Sequence, residues 1–365
     1  KLSVKRNFDS ADRRNHVRSL GGILILLHLF VLRLEAAGLF DEGLGTRLVS
    51  EVEGGNGGDT ETEIPEQDKQ GTDEPSEYRP VSGENFRDGV YTFAVLGRDK
   101  VSGGTDTMMV VTFDTVNYTV GVVSIPRDTL VNVSWSTKKA NTLYSVGGES
   151  GLKAGLKELL GYDIQYYILV NLNAFQKLVD AVGGVSFDVP QKMDYDDPAQ
   201  DLHIHLKAGL QTLNGKDAMG LVRFRRYSAG DIRRIEVQQD FMKAAISDIK
   251  SKLSWTDILT VADIFINDVT TDLSISDLIF FADRAMKTDL ENVTFSTMPG
   301  NYGDSFHGSS YVTVYVDDWL TMINDILNPT DRDITAENVS IVTRGADKKL
   351  YMTSGKARFS LSWGR

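Results

Sequence analysis

The 365-residue chain predicts an α/β fold, a layered α-β-α sandwich around a central mixed sheet. Three observations lead there. Apolar runs of strand length alternate with longer stretches of helical period, the pattern of a sheet and its covering helices. Two of the strand-like runs are separated only by a turn near Asn117, so part of the sheet is antiparallel. The hydrophobic fraction of 41% is that of a chain with a full core.

The elements follow in order. "VYTFAVLGRDK" (Val90–Lys100) reads as a buried strand ending at Gly97. "TMMVVTFDT" and "TVGVVSIPRDT" are two more strands. "GLKAGLKELLGY" (Gly151–Tyr162) has helical period and ends at a glycine. "YYILVNL" is a strand, "NAFQKLVDAVGG" a helix closed by Gly183, and "VSFDVP" a strand again. "AGLQTLNGKDAMGLVRFRR" predicts a short helix followed by a strand. Asp231, a good helix N-cap, opens a long helix to about Ser251. This domain is expected over residues 86–328. The stretch 329–365 is a polar tail expected to be weakly structured.

The first 85 residues have a different character. Residues 1–19 are basic, and the apolar run "LGGILILLHLFVL" (Leu20–Leu32) follows. That run is short of the ~20 residues that span a bilayer. It extends over 20–40 if Arg33 and Glu35 snorkel at the boundary. With basic residues before it and acidic ones after, it is expected to be a signal-anchor transmembrane helix with a cytoplasmic stub; the competing readings are a cleaved signal peptide and a buried amphipathic helix. Residues 41–85 are rich in Gly, Glu, Asp, Thr and Pro and are expected to be a disordered acidic linker.

The net charge of −12 is concentrated there. Between Asp41 and Asp88 stand fourteen Asp/Glu against four Lys/Arg, which leaves the remainder near neutral. No cysteine is present, so disulfides, thiolate metal sites and a cysteine nucleophile are excluded. There is no P-loop, no G-x-G-x-x-G and no Ser-His-Asp arrangement.

Against this background "LVRFRRYSAGDIRRIEVQQDF" (Leu221–Phe241) is conspicuously basic. Read as a strand, it points Arg223 and Arg225 to one face and Arg226 to the other. In the helix that follows, Arg234, Gln238, Phe241 and Ala245 step by four, three and four and form one inward stripe. Guanidiniums aimed at a core need an anion, and their forks match phosphate oxygens. Arg226 and Arg233 are expected to be solvated or ion-paired.

Asp99 follows a strand end and Asp106 a Gly-rich loop. Two carboxylates beside a polyphosphate suit magnesium, although both positions also suit turn or cap residues. "SIPRDT" places Arg127 and Asp128 at another strand end, where α/β proteins build their sites. "DLHIHL" sets His203 and His205 on one strand face with no third metal ligand evident. The nearby Asp194, Asp196, Asp197 and Asp201 lack the glycine of a calcium loop.

Taken in order, "LGRDK", "TDTMMVV", "VVSIPRDT", "KKANTLYSVGG", "NLNAFQKLVDAVGGVSFDVP", "GLQTLNGKDAMGLVRFRR" and "GDIRRIEVQQDF" resemble the LytR–CpsA–Psr family over roughly residues 88–328. The resemblance implies a membrane-anchored phosphotransferase of the outer envelope face. Such enzymes move a glycopolymer, teichoic-acid- or capsule-like, from a polyprenyl-pyrophosphate carrier onto peptidoglycan. Carried onto this chain, Asp99 and Asp106 hold Mg2+, and Arg127, Arg223, Arg225, Arg234 and Gln238 bind the pyrophosphate. Lys139 and Asn141 match a K-x-N element lining the site. The lipid lies in a tunnel between sheet and helices, with Leu273–Met286 either a wall of it or ordinary core. One departure is "GGTDTMM", with Gly103 and Gly104 where many relatives carry an arginine.

The rival readings are hydrolysis of the same lipid and a non-catalytic lipid- or wall-binding anchor. A nucleic-acid partner is not expected, because the domain is near neutral and the arginines point inward.

Overall fold

The structure, a computed structural model, describes residues 78–98, 104–198, 202–228, 230–252 and 255–363. The basic stub, the expected transmembrane helix and nearly all of the acidic linker lie outside the described residues. Among the described residues, no helix is long and apolar enough to cross a membrane.

The chain runs β1 (Val90–Arg98), β2 (Thr105–Asp114), β3 (Thr119–Ser124), α1 (Thr142–Leu160), β4 (Tyr166–Asn171), α2 (Leu172–Ala181) and β5 (Val185–Val189). Next come β6 (Met193–Asp197), β7 (Leu202–Leu206), β8 (Gly209–Leu213), α3 (Gly215–Arg223), α4 (Gly230–Lys252), α5 (Trp255–Asp268) and β9 (Val269–Thr271). The remainder is α6 (Ile275–Lys287), β10 (Val293–Thr297), β11 (Gly300–Phe306), β12 (Ser309–Val314), α7 (Val316–Met322), β13 (Val342–Arg344) and β14 (Leu350–Met352).

Six strands form the central sheet in the order β10-β3-β2-β1-β4-β9. It is mixed: β1 runs antiparallel to β2 and parallel to β4, while β3 is antiparallel to β2 and parallel to β10. The β2–β3 turn forms because the Asp114 carboxylate accepts from the backbone N–H of Val116 and of Asn117, at 3.0 and 2.8 Å. Strand alternation sends β1 side chains to two separate cores. Tyr91, Phe93 and Val95 pack with Phe241 of α4 and Phe281 of α6. Ala94 and Leu96 pack on the other face with Leu156 of α1 and Trp319 of α7. A central strand covered on both faces explains why "VYTFAVLG" is an unbroken apolar run.

Several expectations need correction. The helix expected from Gly151 begins at Thr142 and passes a kink at Gly148. The long helix spans Gly230–Lys252, beginning one residue before Asp231. In residues 208–226 the order is inverted, with strand β8 first and helix α3 after it. Asn214 is the reason: its side chain accepts from the Asp217 N–H at 2.9 Å, and the Asp180 carboxylate accepts from the Gly215 N–H at 2.7 Å. With the helix entrance satisfied, Ala218, Met219 and Leu221 bury one helical face. Arg223 therefore ends a helix and Arg225 lies in the extended segment after it; neither is on a strand.

The stretch Leu273–Met286 is core: Leu278, Phe280 and Phe281 pack against the sheet. The tail is built into the fold. Ile334, Val339 and Ile341 join the Trp319 cluster, and Trp363 packs on Phe306 and Tyr311 with ring centroids 5.5 Å apart. The last residues of the acidic stretch are also held. The Tyr78 hydroxyl donates to Asp277 at 2.8 Å, and the Pro80 carbonyl accepts from the Tyr91 hydroxyl at 2.8 Å.

Candidate functional site

A cavity of about 320 Å3 opens between one end of β1 and β2 and the helices α2, α3 and α4. Its interior is apolar. The sheet contributes Val95 and Met109, α2 contributes Leu178 and Val179, and α4 contributes Phe241 and Ala245. Its charged lining is cationic but for one carboxylate among the described residues: Arg98, Arg223, Arg225, Arg226 and Arg234 stand with Asp106. Apolar depth beneath a guanidinium rim is the surface an anionic amphiphile requires.

Each rim residue is placed by a local cause. Gly97 pairs with Thr107 and Arg98 with Thr105, so Asp106 is the extra residue of a β-bulge. Bulges re-aim a side chain at a strand end, and this one turns Asp106 toward the cavity. The α4 stripe lies as its spacing predicts: Arg234, Gln238, Phe241 and Ala245 all line the cavity. Arg234 is 4% exposed. Gln238 donates to the Val222 carbonyl at 2.8 Å and fastens α4 to the last turn of α3. On the opposite side Gln239 donates to Ser124 Oγ at 3.0 Å, so α4 is fixed to the sheet as well.

The charges form an alternating chain. Lys139 Nζ lies 3.1 Å from Asp128 Oδ1, Arg127 Nε lies 3.7 Å from the same oxygen, and Arg127 also bonds Asp106. Arg225 Nη2 is 3.2 Å from Asp106 Oδ1. Asp106 is thus paired by two guanidiniums. Beside Arg234, the buried Tyr227 hydroxyl is pushed up to about 12 by its burial, against the opposing pull of Arg233 and Arg234.

Of the residues expected at the site, Asp106, Arg223, Arg225, Arg234 and Gln238 line the cavity. Arg127, Lys139 and Asn141 stand behind it. Arg127 reaches Asp106, and the Asn141 carbonyl accepts from the Thr105 N–H at 3.3 Å, bracing the start of β2. Gly104 rests against Asn141. Asp99 and Gly103 lie outside the described residues. Arg233 pairs with Glu236 at 2.8 Å, as its outward position predicts. Arg226 departs from its expected solvated role: it lines the cavity and stacks over the Tyr195 ring at 4.5 Å. Arg98 was missed. Its only signal was its place beside Asp99 at a strand end.

Among the described residues Asp106 is the only carboxylate lining the cavity. Magnesium typically takes one or two carboxylates and completes its oxygen shell with substrate phosphates and water. The donor set fits such an ion on condition that a phosphate draws Arg127 and Arg225 away from Asp106.

The LytR_cpsA_psr family model matches residues 57–327. The chain belongs to this family. It is 32% identical over 257 residues to the polyisoprenyl-teichoic acid–peptidoglycan teichoic acid transferase TagU of Bacillus cereus, covering 68% of this chain and 79% of TagU. It is 31% identical over 192 residues to the regulatory protein MsrR of Staphylococcus aureus, covering 51% of this chain and 57% of MsrR. A further relative, the teichoic acid transferase TagV of Bacillus subtilis, is 30% identical over 49% of its length. The chain thus spans little more than half the length of MsrR and about half that of TagV. The crystal structure of B. subtilis TagV shares the fold, with a TM-score of 0.56 at 23% identity over 66% of this chain and 96% of that one. TagT bound to LI-WTA superposes with a TM-score of 0.54 at 22% identity, covering 67% and 92%.

Proposed function

We propose that this protein is a phosphotransferase that moves a glycopolymer of the teichoic-acid or capsule type from a polyprenyl-pyrophosphate carrier onto peptidoglycan. The observation that carries this is the apolar cavity rimmed by Arg98, Arg223, Arg225, Arg226 and Arg234 beside Asp106. The prenyl chain would enter the apolar interior and the pyrophosphate would meet the arginines. TagU and TagV, named as teichoic acid transferases acting on peptidoglycan, support the polymer and the acceptor.

In this reading a peptidoglycan sugar hydroxyl attacks the glycan-bearing phosphorus in line. The new P–O bond forms a phosphodiester to the wall, the bond to the bridging oxygen breaks, and polyprenyl phosphate leaves. The hydroxyl proton passes to a carboxylate, for which Asp99 is the candidate. Arg223, Arg225 and Arg234 hold the oxygens on which charge accumulates, and the apolar lining beneath them strengthens that attraction. Asp106, with Asp99, would hold magnesium, which supplies further neutralisation of the pyrophosphate. Arg127 sets the position of Asp106, and Lys139 sets that of Arg127 through Asp128. The segment 20–40 would anchor the chain in the membrane, with the domain on the outer face.

The test is to incubate the purified full chain with a synthetic polyprenyl-pyrophosphate glycan, magnesium and peptidoglycan fragments, following lipid and glycan by mass spectrometry. Glycan phosphate on the acceptor, lost with chelator, supports the proposal. Release of free glycan phosphate alone makes the protein a hydrolase, and tight lipid binding without turnover makes it an anchor.

A further inference from the structure

β6 and β7 form an antiparallel hairpin with two chemically distinct faces. Met193, Leu202, Ile204 and Leu206 are buried on the inner face, and Tyr195 and Leu202 line the cavity. The outer face carries Asp194, Asp196, His203 and His205, all exposed. The register pairs Asp194 with His205 and Asp196 with His203, so four chemistry-bearing side chains share one small patch. The sequence shows the two histidines but hides the third ligand, because Asp196 reaches them only across the strand pair.

The geometry points to a metal site here: a divalent transition ion of the zinc class held by Asp196, His203 and His205, with Asp194 orienting His205. The three ligand atoms lie within 4.8 Å of one another, and this is the one such group among the described residues. His203 Nδ1 is 2.5 Å from Asp196 Oδ1, and His205 Nε2 is 3.4 Å from the same oxygen. Tetrahedral zinc, with bonds of about 2.0–2.1 Å, sets its ligand atoms roughly 3.4 Å apart. The His205 pair already matches that spacing, and the His203 pair must open by about 1 Å, which a small side-chain rotation supplies.

Asp194 supplies the second element. Its carboxylate lies 2.9 Å from His205 Nδ1. A carboxylate on the far nitrogen fixes the tautomer and leaves Nε2 facing the ion, the usual support for a ligating histidine. Two imidazoles and a carboxylate favour zinc, copper or nickel over magnesium or calcium. Three protein ligands leave a fourth position for water. Because the inner face of the hairpin walls the cavity, the ion would cross-link β6 to β7 and stiffen that wall. The site stands whatever the cavity itself binds.

The experiment is calorimetric titration of the chelator-stripped full chain with Zn2+, with Co2+ absorption as a read-out of tetrahedral coordination. One ion per chain is expected at this site. His203→Ala and His205→Ala should each weaken it by about 100-fold or more, and Asp194→Asn by about 10–100-fold. All three positions are exposed, so circular dichroism should show an unchanged fold. Asp106→Asn separates this site from the cavity and should leave the zinc isotherm as it was. Absence of zinc binding, an isotherm indifferent to the histidine substitutions, or one abolished by Asp106→Asn would overturn the site. Hydrogen exchange over 193–206 should slow with zinc in the parent chain only; unchanged exchange on binding would remove the stiffening role.

Discussion

At the residue scale the site turns on how Asp106 and its two guanidiniums share charge. Arg225 is 55% exposed and Asp106 23% exposed on their side chains, so neither supports the core. Arg225→Ala should lower transfer by about 100–1000-fold, the typical loss for one donor to developing charge. Asp106→Asn should behave differently. Removing the carboxylate takes a counter-charge from Arg225 and leaves Arg127 only Asp128, 3.7 Å away, so the lipid pyrophosphate should bind as tightly or tighter while transfer is lost. Measured lipid affinity beside turnover separates the two variants; parallel losses of affinity would argue against Asp106 as a cation ligand. Arg98 is the second case. Arg98 enters the cavity rim from the end of β1. Arg98→Ala should raise the KM for the lipid with little change in kcat, the sign of a head-group contact made equally in ground and transition states. A fall in kcat alone would place Arg98 in the transition-state charge set. The sequence announced Arg98 only by adjacency. Asp106 was legible as a residue, but the bulge that aims it depends on the pairing of two strands, which no local pattern encodes.

At the element scale the legible parts were those with one unambiguous period. The Arg234, Gln238, Phe241, Ala245 stripe steps by four, three and four, and the structure puts all four on the cavity. "LVRFRR" misled because it alternates over a few residues, while its true period shows only when it is joined to the Asn214 cap and Ala218 upstream. Local alternation lost to a capped helix whose apolar face was already in phase. The closeness of α3 to α2 yields a prediction. A Cβ on Gly215 would lie 2.3 Å from the Gln176 carbonyl oxygen and 2.8 Å from Asp180 Oδ2, and backbone cannot yield that distance cheaply. Gly215→Ala should cost about 1–3 kcal/mol through overpacking. It should also push α3 outward and with it Arg223 and the Val222 carbonyl that Gln238 holds. Thermal melting should fall by roughly 2–4 °C per kcal/mol, and transfer should fall with it below that of Lys216→Ala, an exposed neighbour. Unchanged melting would show that α2 and α3 are less tightly apposed than the distances imply.

At the scale of the whole molecule the tail decides how much chain makes a stable body. Its apolar residues come in short runs, "VSIV" at 339–342 and "LYM" at 350–352, too brief within a polar stretch to show a period, and they matter through where they land. Ile334, Val339, Ile341, Val342 and Leu350 are all 8% exposed or less. Full burial of such a side chain is worth about 1.5–3 kcal/mol, an upper estimate for a compact unfolded chain. Five together are comparable to the ~5–15 kcal/mol that stabilises a typical domain. A chain ending at Pro329 should therefore fail to fold cooperatively, seen as loss of the melting transition and rapid proteolysis. Retention of the parent melting temperature would make the tail a mere appendage. The tail also reaches the site. Burial lowers the pKa of Lys138, whose ammonium donates to the Trp135 carbonyl at 2.6 Å and sits over the Phe359 and Trp363 rings at 4.5 and 5.6 Å. Its neighbour Lys139 holds Asp128, which meets Arg127, which meets Asp106. Trp363→Ala removes one ring of that support without exposing the Trp319 core. It should leave a folded protein, about 1–2 kcal/mol less stable, given its partial burial. Transfer should drop several-fold in kcat while lipid affinity holds, because the cavity rim on α3 and α4 is untouched and only the brace behind Asp106 is loosened. A loss of lipid affinity in place of kcat would mean that the tail supports the cavity by some route other than the Lys139–Asp128–Arg127 chain.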